Sequence, residues 1–276
     1  MSLCEGLIAP NQPPKAGPPL LVKPFRENGA LTSFSISHSN TIAAPPLQCI
    51  QKLMDTSTWP EWCKMTPRAN ITQTPPIADD TTNVPELHAL ISRPGYLCRG
   101  VKFTADVHMD LDPAKKTNTA AELVRAVERF ELDDGRTGYR LAWEYVGLPS
   151  FVSCNVRVFE FIEAKERLVD GKLATEAYGW ETFSGLGSWL QRSLMSDKLL
   201  RGYESWGEDF KNAVESQMEA PLQNVIRPTR RRRDFALVNF LYNPGTLGKR
   251  GRDMLQGVLL KKEMVSLFLL LEENRR

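Results

Sequence analysis

The chain alternates with a period of two in several stretches, and each is read as a strand. From Leu31 to Ile42, Phe34, Ile36, His38, Asn40 and Ile42 fall on one face and Ser33, Ser35, Ser37, Ser39 and Thr41 on the other. Arg68 to Gln73 reads as a second strand. Strands joined around Pro94 and Gly95 follow from Leu87 to Leu111, with Phe103, Ala105, Val107 and Met109 on one face. Thr119 to Leu132 has the length of a helix or a long strand. The hairpin signal Asp133, Asp134, Gly135 and the alternating Tyr139 to Val146 beyond it favour the strand. Asn155 to Ile162 and Ala174 to Phe183 alternate in the same way. Ser184 and Gly185 then break the pattern. Leu186, Trp189, Leu190, Leu194, Leu199, Tyr203, Trp206, Phe210 and Val214 recur at three- and four-residue steps, which is one apolar stripe on a long helix. Short helical turns are expected at Leu47 to Met54 and at Asp55 to Trp62, with Pro46 suited to the first turn of one and Pro60 near the start of the other. About seven antiparallel strands, an early helical pair and one late helix make an α+β protein in which a curved sheet grips a helix.

Composition sets limits on this picture. Hydrophobic content of 42% and charged content of 25% over 276 residues are those of an ordinary globular chain with ample core. Residues 1–30 carry six prolines with little periodicity and are read as a disordered leader, 31–219 as the folded ligand-binding domain and 220–276 as a basic tail with a short helix. The net charge of +2 conceals an asymmetry: residues 221–276 hold 12 Lys+Arg against 5 Asp+Glu, and the rest 23 against 28. The Arg230–Arg233 run offers a weak contact to an anionic surface, and no nucleic-acid partner is expected. Five scattered cysteines without a C-x-x-C point to reduced thiols. No secretory signal is evident, and the apolar run Met264 to Leu271 is far short of the roughly 20 residues of a membrane span. A cytoplasmic location is expected.

Taken in order, these residues resemble a known family. The run Met54, Asp55, Thr56, Ser57, Thr58, Trp59, Pro60, Glu61, Trp62 is similar to the aromatic-Pro-x-Trp signature of the START/Bet v 1-like (SRPBCC) superfamily, in its polyketide cyclase/dehydratase and lipid-transport branch. The Tyr139–Trp143 and Arg157–Phe161 strands follow where that family has them, and Glu181 to Gly185 leads into the grip helix. The resemblance spans roughly residues 31–219. After Trp62, where the family often has Asn, this chain has Cys63. The resemblance implies a deep cavity between sheet and helix for an apolar ligand such as a lipid, quinone or polyketide. Most members bind or carry, and a minority catalyse cyclisation or dehydration.

Candidate polar groups are those on the inward faces. His38 shares its face with Phe34 and Ile36, and its reference pKa of about 6.5 suits acid/base work. Arg157 and Glu181 lie on neighbouring strands in register with aromatics, where they would pair at the cavity floor, or Glu181 would act as an acid raised by burial. The plainer reading of both is a structural cross-strand pair or a solvated face. His108 shares its face with Thr104, Asp106 and Asp110 and is expected to face solvent. Trp62, Phe103, Leu141, Trp143, Tyr145, Phe159 and Trp189 are the candidate ligand-lining side chains. No G-x-G-x-x-G, H-E-x-x-H or G-x-S-x-G motif is present, so nucleotide, zinc-hydrolase and serine-hydrolase chemistry have no support, and neither cofactor nor metal is expected. Three function classes stay open: a carrier of a hydrophobic small molecule, a cofactor-free cyclase or dehydratase, and a protein-interaction module. Ligand, pathway and oligomeric state are not legible.

Overall fold

In a computed structural model, the described residues are 8–20, 32–76, 84–91, 93–112, 114–116, 118–165 and 173–219. The basic tail expected over 220–276 lies outside them. The strands are β1 (Lys15–Gly17), β2 (Thr32–Ile42), β3 (Arg68–Gln73), β4 (Lys102–Val107), β5 (Asn118–Glu131), β6 (Thr137–Tyr145), β7 (Cys154–Glu163) and β8 (Thr175–Ser184). The helices are α1 (Pro46–Met54), α2 (Trp59–Trp62), α3 (His88–Ile91) and α4 (Ser188–Glu219). One sheet holds all the strands in the order β1-β2-β8-β7-β6-β5-β4-β3, and every neighbouring pair is antiparallel. This is the helix-grip arrangement read from the sequence, with α4 against the sheet as one unbroken helix.

Local chemistry explains the elements that punctuate the sheet. Pro46 starts α1, and a carboxylate oxygen of Asp55 accepts from the Ser57 amide at 3.1 Å to open the turn before α2. Gly135 takes a φ of +81° in the β5–β6 hairpin, the conformation that its turn demands. The register of β5 slips between Val124 and Ala126, so Val124 faces the inner core and Ala126 the outer one.

Three expectations are corrected. The leader does not lie wholly outside the fold: Lys15–Gly17 pairs with β2, the Leu20 amide donates to Ser35 Oγ at 2.7 Å, and the Gln12 amide donates to Ser39 Oγ at 3.1 Å. The polar serine face of β2 is what this segment binds, which makes the sheet eight-stranded. The stretch from Leu87 is not a strand. Pro85 opens a 3₁₀ turn that runs into α3, and among the described residues of this stretch only Lys102–Val107 pairs with the sheet. His108 is buried rather than solvent-facing, because the chain leaves β4 at Val107. The His108 amide then bonds to the Met65 carbonyl at 2.8 Å, and its ring Nδ1 sits 2.9 Å from the Asp112 carbonyl.

Two apolar layers result. The inner core gathers the concave face, α1, α2 and the buried stripe of α4: Leu199, Tyr203, Trp206, Phe210 and Val214. Trp206 stacks on Phe210 with centroids 5.1 Å apart, and Trp62 meets both edge-on. The outer layer places Val156, Val158, Tyr178 and Trp180 on the convex face with Leu20. Within it Arg140 donates to Glu160 at 2.7 Å and lies over the Phe130 ring.

Candidate functional site

Strands β4 to β8 all turn their inward side chains toward α4, and a cavity of about 230 Å³ stays open between them. Trp59, Phe103, Trp143, Phe183 and Trp206 supply apolar wall. Ten polar residues also line it, and four of them carry its charge and proton chemistry from inward positions on their elements: Glu122 on β5, Arg157 on β7, Glu181 on β8 and Tyr203 on α4.

Arg157 and Glu181 are directly opposed in the β7–β8 register, as the alternation predicts, with Arg157 Nη1 and Glu181 Oε2 4.0 Å apart. Tyr203 donates its hydroxyl to the same Oε2. The Arg157 guanidinium lies 4.9, 4.6 and 5.1 Å from the ring centroids of Phe159, Tyr203 and Trp206. Its Nε and Nη2 are buried without a hydrogen-bond partner among the described residues. Aromatic faces therefore hold much of this cation in place of hydrogen bonds.

The carboxyls respond to this setting in the same direction. Burial raises Glu181, against the opposing pull of Arg157 and of the Tyr203 hydrogen bond. Burial and then the charge of Glu181 push Glu122 well above the usual carboxylate range, with Arg157 opposing. Tyr203 is driven well above its ordinary value, by burial first and then by Glu181. Such a floor can hold or exchange a proton, and its cation can steady negative charge on a bound oxygen.

The expected site residues divide into three groups. Phe103, Trp143, Tyr145, Arg157 and Glu181 line the cavity. Trp62, Leu141 and Phe159 are buried in the aromatic core beside it, with Phe159 supporting the guanidinium. His38 and Trp189 stand elsewhere. His38 is packed between Gly179, Gly207, Tyr203 and Trp206, and its Nδ1 has no hydrogen-bond partner among the described residues. Burial, then repulsion from Arg157, lowers its pKa to about 3, far from a neutral-pH base. Trp189 is on the exposed first turn of α4, because β8 ends at Ser184 and the helix starts beyond the sheet's cover. Glu122 was not legible, since a segment readable as helix or strand gives no inward face, and the register slip beyond it hides the alternation. Among the described residues no group of three His, Cys, Asp or Glu side chains is placed to hold a metal ion.

No family model matches the chain. It is similar to the oxopyrrolidines biosynthesis cluster protein O of Penicillium oxalicum, 28% identical over 188 residues that cover 65% of this chain and 85% of the relative. Three solved structures are similar at low TM-score. They are hypothetical protein jhp0584 from Helicobacter pylori (TM-score 0.44, 12% identity, 68% of this chain and 91% of that one), a START superfamily protein from Mycobacterium smegmatis (0.40, 12%, 66% and 98%) and Ara h 8.0201 (0.39, 10%, 66% and 97%). By its strand order, its short helices after β2 and the long helix closing the sheet, this chain has a helix-grip-like α+β fold.

Proposed function

We propose that the protein binds a hydrophobic small molecule, of lipid, quinone or polyketide-like chemistry, inside the cavity and acts as its carrier or binding protein. The observation that carries this reading is a cavity with one aromatic wall, of Trp59, Phe103, Trp143, Phe183 and Trp206, facing a polar end where Glu122, Glu181 and Tyr203 gather at Arg157, the mixed lining of a small-molecule site. The ligand that fits has an apolar body and an oxygen function at the Arg157 end. The similarity to a fungal protein named for a biosynthesis cluster supports a secondary metabolite over a bulk membrane lipid.

A second reading is a cofactor-free cyclase or dehydratase on a polyketide-like substrate. It is favoured by the two raised carboxyls facing one cavity with Arg157. In that reading Glu181 moves the proton and Arg157 steadies the enolate.

Native mass spectrometry of protein purified from its own host, followed by denaturing release, tests both. A stoichiometric apolar metabolite is expected. Incubated with that compound, wild type returns it unchanged if the protein is a carrier, and Glu181→Gln alters only affinity or stability. Turnover by wild type, lost in Glu181→Gln with binding kept, selects the enzyme. Protein that arrives empty and takes up no lipid, quinone or polyketide overturns the cavity reading.

A further inference from the structure

A second cavity, of about 250 Å³, opens where the leader, β2 and α4 meet, and it shares only Tyr203 with the first. Residues 11–14 form one wall, and His38 and Asn40 on β2 form its base. Glu204 and Glu208, one helical turn apart on α4, form the facing wall. Among the described residues no lysine or arginine lines it. The leader wall is fastened to β2 by its backbone and by one carboxamide. The Gln12 carbonyl accepts from the Ser39 amide at 3.2 Å, Asn11 Oδ1 accepts from the Thr41 amide at 2.6 Å, and Ser39 Oγ donates to the Ala9 carbonyl at 2.6 Å.

The two ends of this cavity differ in chemistry. At the inner end His38 is 5% exposed, and its Nδ1 has no hydrogen-bond partner among the described residues. Its ring is uncharged at neutral pH, since burial and then Arg157 hold its pKa at about 3. The ring edge that carries Cδ2 and Nε2 faces Gly207, where a Cβ would lie 3.1 Å from Cδ2 and 2.7 Å from Asn40 Nδ2. A half-turn of the ring exchanges Nδ1 with Cδ2, so a nitrogen meets this side in either orientation. Glycine at 207 keeps the imidazole and the carboxamide open to a guest. Charge separates the ends. The Arg157 guanidinium lies 4.6 Å from the Tyr203 centroid and repels a cation from the inner end, while the two exposed glutamates draw one to the outer end.

We propose that this cavity binds a short amino alcohol, with the ammonium at Glu204 and Glu208 and the hydroxyl at His38 and Asn40. A hydroxyl both donates and accepts, so it satisfies either tautomer of the imidazole and the carboxamide beside it. Pro13, Pro14 and the Tyr203 ring give the carbon stem its apolar contact. Other occupants fit less well. A metal ion lacks ligands, since no three His, Cys, Asp or Glu side chains among the described residues are placed to hold one. An anion would meet two carboxylates, and a wholly apolar guest would leave the imidazole unpaired. The site stands apart from the first cavity and does not depend on what that cavity holds.

The test follows the imidazole nitrogens by NMR in the full chain with isotope-labelled histidine. The chain has 3 histidines, and the His38 signals are those lost in His38→Gln. The protein is titrated at neutral pH and constant ionic strength with 4-aminobutan-1-ol, butylammonium, butan-1-ol and butyrate. The amino alcohol is expected to shift the His38 signals saturably and to bind about fivefold or more tighter than butylammonium or butan-1-ol, with butyrate inert. Glu204→Gln/Glu208→Gln, at two exposed positions that leave the melting curve in place, is expected to weaken it about fivefold. No saturable shift up to about 50 mM overturns the proposal. So does a double variant that binds like wild type, or butylammonium or butan-1-ol binding as tightly as the amino alcohol, which leaves one end without a role. Nα-acetyl-lysine amide binding about tenfold tighter than the amino alcohol also overturns it, by making a protein's lysine the occupant. Native mass spectrometry reads the first cavity separately, so failure here leaves that reading standing.

Discussion

Lowering the pH should destabilise this protein through one imidazole. His38 is 5% exposed and enclosed by the rings of Tyr203 and Trp206 and the backbones of Gly179 and Gly207, with the Arg157 charge nearby. Its pKa falls from 6.5 to about 3 on folding. A depressed folded value means that the unfolded chain takes the proton first. The contribution is therefore complete above pH 6.5 and is lost as pH falls toward 3. Between about pH 7 and about pH 4.5 the loss is about 2–3 kcal/mol, at roughly 1.4 kcal/mol per pH unit below the unfolded value. Urea unfolding of wild type and His38→Gln at both pH values, followed by tryptophan fluorescence, isolates it. The carboxyls titrate alike in both proteins and cancel in the difference. Wild type should lose about 2–3 kcal/mol more than the variant over the interval. Equal losses, or an imidazole NMR signal that titrates near 6.5, would refute the reasoning by showing that the folded protein accepts the proton.

Other substitutions probe the same packing. A Cβ on Gly179 would lie 2.4 Å from His38 Cε1, so Gly179→Ala should cost about 1–3 kcal/mol in chemical denaturation, with part restored by His38→Ala. Glu122 is raised, so the stability of its protonated form is present at acid pH and lost as pH rises through the raised value. Glu122→Gln should melt higher than wild type at neutral pH, with the gap closing toward acid. Trp206→Ala removes the ring between Phe159 and Phe210 and should cost about 3–5 kcal/mol by the same assay. Burial pushes the Cys49 and Cys63 thiols up to about 12, so neither should react with a thiol reagent in native protein, and both should react once urea unfolds the chain.

The strands were legible where one face is apolar and the run is long. Tyr139 to Tyr145 and Asn155 to Ile162 fall where their alternation places them, and the same alternation set Arg157 across from Glu181. What failed has specific causes. Leu87 to Ile91 is too short a run to separate a helical turn from a strand, and Pro85 decided it. The stripe of α4 extends by period into Leu186, Trp189 and Leu190, but periodicity says nothing of where the opposing sheet stops. The Lys15–Gly17 strand has no pattern of its own; it forms because β2 offers an open edge and a row of serine hydroxyls. His38 follows the inward face as expected, yet its surroundings come from two glycines far apart in the chain.

The sheet's closure also has a temporal cost. Strand β2 finds its long partner only in β8, where Ile36 meets Glu181 about 145 positions later. At translation rates of about 5–20 residues per second, that partner emerges roughly 7 to 30 seconds after β2 does. Until then Phe34, Ile36 and Ile42 stand on a strand whose principal edge is open, a surface suited to chaperone capture or to pairing between nascent chains. Folding yield in a cell should therefore respond to whatever shields the Thr32–Ile42 segment during synthesis, even where the equilibrium stability of the finished domain is unchanged.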